Sequence, residues 1–176
     1  MRRLASALIL MAVALPMAPA SAANTLAIEL QPFAFLAGSC WRASFPGGQM
    51  TDTHCFSPIL HGHFLRDRHI VNNAPDPYLG ETLYRWDAAT RTIRWDYYSS
   101  DGMLMSGSAA GTDGGISFVI SAVSPAGASP IAERIAWRRD GADAYVVTTE
   151  VRENGVWRSR PNAMHFQRIG PAGAER

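Results

Sequence analysis

The side chains able to do chemistry in this 176-residue chain concentrate in two short stretches, Asp52-Thr53-His54 and His61-Gly62-His63-Phe64-Leu65-Arg66-Asp67-Arg68-His69. Imidazole and carboxylate together can hold a transition metal, shuttle a proton, or anchor the polar end of a ligand. Asp52 and His54 stand two apart, so on a strand they share one face and form a minimal acid-base pair. No Gly-x-Ser-x-Gly elbow or similar device marks a nucleophile, which makes binding or structural pairing the expected role and an enzyme the lesser reading. In the second stretch, alternation places His63, Asp67 and His69 on one face and Arg66 and Arg68 on the other. A zinc site would combine His63 and His69 with Asp67 or His54. At ~3.3 Å per residue, however, His63 and His69 lie about 20 Å apart along a strand, and His61 falls in a turn, so no metal is expected. If Phe64 and Ile70 face inward, Arg66 and Arg68 enter the interior, where a guanidinium can clamp a carboxylate or phosphate. If Leu65 and Val71 are buried instead, the arginines lie outside and one pairs with Asp67 or Asp96. The pattern leaves both open.

The elements that must position these groups are strands. Short β-branched and aromatic segments alternate with turn residues at intervals of about eight to twelve, which predicts an all-β antiparallel barrel or sandwich. Strands are expected near 40–45, 50–56, 63–71, 81–86, 92–99, 103–109, 115–123, 131–138, 144–152, 156–159 and 163–169. The turns between them include Asp101-Gly102, Asp140-Gly141 and Asn154-Gly155. The best helical candidate is Pro32 to Ala37, a short lead-in.

The first hairpin can be placed in register. Its turn, Pro46-Gly47-Gly48-Gln49, fits a four-residue loop, because a two-residue loop would need a ladder hydrogen bond from Pro46, which has no N–H. Counting outward from Phe45 opposite Met50, Cys40 meets Cys55 at a non-hydrogen-bonded pair, where Cα atoms approach to about 4.5 Å and a disulfide can form. The same register turns Cys40, Arg42, Ser44, Thr51, Thr53 and Cys55 to one side. Trp41, Ala43, Phe45, Met50, Asp52, His54 and Phe56 turn to the apolar, core-facing side. Asp52 and His54 therefore point inward among aromatics, where they need an internal partner or a ligand. Across the turn that begins at Asp87, Trp86 facing Ile93 puts Thr82, Tyr84, Trp86, Ile93, Trp95 and Tyr97 on one face. This aromatic wall serves equally as barrel core or as cavity lining.

The N-terminus reads as an export signal. Arg2 and Arg3 precede an apolar run from Leu4 to Met17, and Ala20-Ser21-Ala22 supplies the small residues of a cleavage site. Residues 1–22 are thus expected to be removed and residues 23–176 to form one domain in the periplasm or outside the cell, with no membrane span. Two cysteines in an oxidising compartment are expected to be bonded to each other. Every basic residue is arginine, and without Arg2 and Arg3 the charges nearly balance, so no nucleic-acid partner is expected.

Leu36-Ala37-Gly38-Ser39-Cys40-Trp41 is similar to the Leu-x-Gly-x-Trp opening of the lipocalin-like calycin barrels, with one extra residue between Gly38 and Trp41. The resemblance implies an up-and-down barrel of about ten strands, with Trp41 closing one end. It also implies that Arg168, near the end of the last strand, packs across that tryptophan. Trp41 and Arg168 would then be structural. The functional expectation, drawn from the residues themselves, is a small hydrophobic or amphipathic partner inside the barrel, with Asp52, His54, Phe56, Arg66, Arg68, Tyr84, Trp86, Trp95 and Tyr97 as candidate contacts and no cofactor. Within the same group, the nitrobindins ligate haem through a late histidine, and His165 stands in a loosely similar place, which supplies the alternative.

Overall fold

A computed structural model describes residues 25–72, 76–124 and 133–173; the expected export signal lies outside the described residues. Eleven strands follow one another: β1 (Ser39–Ser44), β2 (Thr51–Ile59), β3 (Phe64–Asn72), β4 (Tyr78–Asp87), β5 (Thr92–Ser99), β6 (Leu104–Thr112), β7 (Gly115–Ser124), β8 (Glu133–Arg139), β9 (Ala144–Glu153), β10 (Val156–Ser159) and β11 (Met164–Pro171). Each pairs antiparallel with the next from β1 to β9, and β11 lies between β9 and β1, so ten strands close into an up-and-down barrel. Closure removes the unpaired edges that an open sheet would expose. The remaining strand, β10, continues the edge of β9 beyond the point where β11 leaves it.

The first hairpin has the expected register. Phe45 N–H donates to Met50 O at 2.9 Å across the Pro46–Gln49 loop. Cys40 faces Cys55 with Cα atoms 4.0 Å apart, and the two form a disulfide on the outer face. Trp41, Ala43, Asp52 and Phe56 are buried on the inner face, while Met50, in the turn beyond the strand, is largely exposed. The wall on β4 and β5 is also as expected, with Tyr84 opposite Trp95, Thr82 opposite Tyr97, and all four buried.

The lead-in differs from the expected Pro32 to Ala37. It is a 3-10 helix over Ile28–Phe33 followed by turns to Gly38. Three residues per turn put Leu30, Phe33 and Leu36 on one side, and all three are fully buried. The helix packs on β4, β6 and β7, with the Phe33 ring 4.5 Å from that of Tyr84, so it plugs one end of the barrel. Before it, Ala27 N–H donates to Gly62 O, and the chain passes so close that a Cβ on Gly62 would lie 2.0 Å from Thr25 O.

Arg168 secures this end. A bulge in β11 sets it opposite Trp41, its guanidinium lies 4.3 Å from the indole centroid, and it donates to Ser39 Oγ, Ala142 O and Asp143 Oδ1. Trp41 is wholly buried beneath it. The expected packing of this pair is therefore present.

The Cys40–Cys55 bond closes a 15-residue separation, which in the chain-entropy account is worth about 3 kcal/mol. Cys40→Ser/Cys55→Ser should unfold at lower denaturant concentration by that amount, and alkylation should label wild-type protein only after reduction.

Candidate functional site

Opposite the plugged end, the barrel holds a cavity of about 380 Å³. Its floor is formed by Tyr84 and Phe118, which rest on Phe33 of the plug, and it extends to Phe45, Val71, Tyr78 and Met103 at the strand ends. Two inward-facing glycines provide room for the wall. A Cβ on Gly80 would lie 2.1 Å from His69 Nε2, and one on Gly107 would lie 2.0 Å from Val119 O and 2.5 Å from the Trp95 ring. A side chain at Gly80 would displace the His69 ring, and one at Gly107 would push on both the β7 backbone and the Trp95 ring.

A row of polar groups climbs one wall. Asp67, at the bottom and almost wholly buried, accepts from His54 Nδ1 at 2.8 Å. His54 Nε2 lies 3.1 Å from Asp52 Oδ2. Asp52 Oδ1 lies 3.3 Å from His69 Nδ1, but off the direction of a hydrogen bond, so both atoms are buried without a hydrogen-bond partner. His69 Nε2 is 3.0 Å from Tyr97 Oη, which is 2.6 Å from Tyr78 Oη near the mouth. The row exists because His54 and His69 are direct partners across β2 and β3, with Phe56 opposite Asp67 and Asp52 opposite Val71.

Both His54 nitrogens face carboxylate oxygens, which only accept. The ring therefore carries two protons and is an imidazolium. Burial alone would lower its pKa, but the Asp67 charge and the hydrogen bonds to both carboxylates raise it to about 10. Burial pushes Asp52 the other way, yet its contacts with His54 and His69 outweigh this and hold the carboxyl below the ordinary range. Burial and the hydrogen bond to Tyr78 raise the Tyr97 phenol, which stays protonated. His54 also stacks on Phe56 and meets Phe166 edge-on at 5.2 Å, which fixes the orientation of its ring.

Five of the residues expected at a ligand site, Asp52, His54, Tyr84, Trp95 and Tyr97, line the cavity. Phe56 is fully buried against His54 and Trp137 and does not reach the cavity, and Trp86 is half-buried beside the core. Arg66 and Arg68 face outward, because Leu65 and Asp67 take the inner positions of β3; of the two faces left open by the sequence, the one burying Leu65 is observed. Asp67 thereby pairs with His54 and not with an arginine on the barrel surface. His61 and His63 are exposed in and beside the β2–β3 turn, far from the row they were weighed for. His165 also faces outward, between the inward Met164 and Phe166, so it gives the haem alternative no ligand in the cavity. Thr82 lines the cavity with the wall on which the sequence set it, whereas sequence reasoning missed His69 and Tyr78 as cavity residues. His69 stands opposite His54 through the β2–β3 register, which no turn residue in the sequence announces.

No family model matches the chain, and no curated protein does either. Among solved structures, it is similar to Rv2717c from M. tuberculosis, with a TM-score of 0.52 at 16% identity over 82% of this chain and 99% of that one. At that identity the likeness concerns the barrel alone.

Two predictions follow from the row. His54→Ala leaves Asp52 and Asp67 buried without their shared counter-ion and should cost about 3–5 kcal/mol in denaturant unfolding. The second concerns pH. A raised folded pKa gives stability that is whole below the unfolded value of 6.5 and is lost as pH climbs to about 10. Wild-type melting temperature should therefore fall across that interval more steeply than that of His54→Gln; parallel curves would show that the row does not hold this proton.

Proposed function

We propose that this protein is an exported, lipocalin-like binding barrel that holds one small, mostly apolar molecule with a polar end. The observation that carries this reading is the cavity, whose volume lies within the ~300–1,000 Å³ of ordinary ligand sites. Its walls are mainly aromatic and aliphatic, and its polar groups are confined to a single side. Trp95, Phe118, Trp137, Ile120 and Ile135 supply apolar area, and Asp52, His69, Tyr97 and Tyr78 offer hydrogen bonds to whatever polar group enters. Such a division fixes a ligand's orientation: ring or chain toward β7 and β8, polar end toward β2 and β3.

Binding is favoured over acid-base catalysis by the state of His54. Both of its nitrogens are engaged by carboxylates, which leaves no lone pair to accept a substrate proton. The proposed location outside the cytoplasm is supported by the N-terminal sequence and by the disulfide, a bond that persists in oxidising compartments. Among the described residues, no helix is long and apolar enough to cross a membrane.

The test is occupancy of the cavity. Protein isolated from its own host should release a small molecule on denaturation, and naphthol, which has an apolar body and one hydroxyl, should bind the emptied barrel. Ile120→Trp fills the space and should weaken naphthol binding at least about tenfold, or ~1.4 kcal/mol, with the melting temperature held or raised. Equal binding by wild type and Ile120→Trp would place the ligand elsewhere and overturn the reading.

A further inference from the structure

The centre of the polar row contains more than a chain of ion pairs. Asp52, His54 and His69 each offer a ligand atom, and these atoms lie within 4.8 Å of one another. His54 Nε2 lies 3.1 Å from Asp52 Oδ2 and His69 Nδ1 lies 3.3 Å from Asp52 Oδ1, so the two oxygens of one carboxylate each meet one imidazole. Ligands bound at ~2.0–2.1 Å around a tetrahedral ion are about 3.3 Å from each other. The three groups thus converge to near that scale, and rotation of their side chains about an ion would close the remaining difference.

Three further observations point the same way. The far nitrogen of each histidine is held: His54 Nδ1 by the Asp67 carboxylate and His69 Nε2 by the Tyr97 hydroxyl. Fixing the outer N–H in this manner directs the other nitrogen to an ion, as a lone pair on His69 and, once its Nε2 proton is displaced, on His54, the arrangement usual for metal-bound imidazole. Next, Asp52 Oδ1 and His69 Nδ1 are buried and have no hydrogen-bond partner, although their burial is costly without one. Lastly, the charges are uneven. Through His54 the row sets one positive charge against two buried carboxylates, whereas a divalent ion among the same groups would match both.

We propose that Asp52, His54 and His69 bind one divalent transition-metal ion on the cavity wall, with the remaining coordination position open to the cavity. Two imidazoles and one carboxylate select zinc or its first-row neighbours over magnesium and calcium, which take oxygen donors. On binding, the ion replaces the proton on His54 Nε2, which leaves to solvent, and the Nδ1 proton stays on the hydrogen bond to Asp67. The site does not depend on an organic ligand, and metal uptake and naphthol binding are separate measurements.

The test is zinc uptake by the whole mature protein after dialysis against a chelator, followed by calorimetry and metal analysis. Wild type should take up about one zinc per chain and no magnesium. His69→Ala and Asp52→Ala should each reduce affinity by at least about 100-fold, and Tyr97→Phe, which removes only the group holding His69, by about tenfold. Gly80→Ala should also abolish binding, because the added methyl would lie 2.1 Å from His69 Nε2 and displace the ring. A double His61→Ala/His63→Ala variant should bind as wild type does. Thermal melts establish which variants fold, and if Asp52→Ala does not, Tyr97→Phe and the double variant decide. Absence of zinc uptake by wild type, uptake that survives His69→Ala, or loss on removal of His61 and His63 would each overturn the proposal.

Discussion

Two carboxylates inside an aromatic barrel are the constraint to which the rest of this structure answers. Neither Asp52 nor Asp67 can stay ionised there without a counter-charge, and His54 serves both at once. Its ring has to lie between them at a fixed angle, so Phe56, Phe166 and Trp137 pack around it. His69 has to stand beside Asp52, and Gly80 gives up its side chain to make that possible. The same residues that neutralise buried charge thus shape the wall of the cavity. The disulfide acts on the same geometry from outside, since a one-residue slip of β2 against β1 would turn Asp52 and His54 to solvent. With Cys40 joined to Cys55, that slip is not available.

The two ends of the barrel are built in opposite ways. At one, Leu30, Phe33 and Leu36 fill the opening, and Arg168 ties β1 to the β8–β9 turn over Trp41. At the other, Phe45, Val71, Tyr78 and Met103 stand around space. Apolar burial is therefore concentrated at the plug, which leaves the cavity end free to be shaped by polar groups instead of close packing.

How much of this could be read in the sequence depended on turn chemistry. Pro46-Gly47-Gly48-Gln49 admits one loop, so the β1–β2 register, the disulfide and the inward Asp52 and His54 followed directly. The wall of Tyr84, Trp95 and Tyr97 followed from the register across the turn at Asp87 in the same manner. The β2–β3 connection carries no such signal. β2 runs on through Pro58 to Ile59, and the turn places Leu60 and His61 at positive φ, 49° and 58°, where neither residue type is characteristic. With that register hidden, His54 and His69 could not be seen as partners. The face of β3 was equally hidden, because Leu65 with Val71 and Phe64 with Ile70 are both apolar sets. The position of the lead-in was obscured for another reason: a period of three residues, not 3.6, buries Leu30, Phe33 and Leu36.

The edge of β9 is divided between two partners, and this makes the barrel unequal around its circumference. β11 pairs with it only from Met164 to Gln167, four residue pairs, after which β10 takes over. Every other seam among the ten closing strands is at least as long, and the β2–β3 and β6–β7 seams are more than twice that length. Ladder hydrogen bonds must break together for a seam to part, and the two seams of β11, with β9 and with β1, share the shortest ladders, though the β1 side is also tied by Arg168 over Trp41. The amides of the β9–β11 seam should exchange with solvent before those of β2–β3, and the cylinder is best pictured as a rolled sheet fastened by a short clasp, with the stacked rings of Tyr145 and Phe166 as the pin.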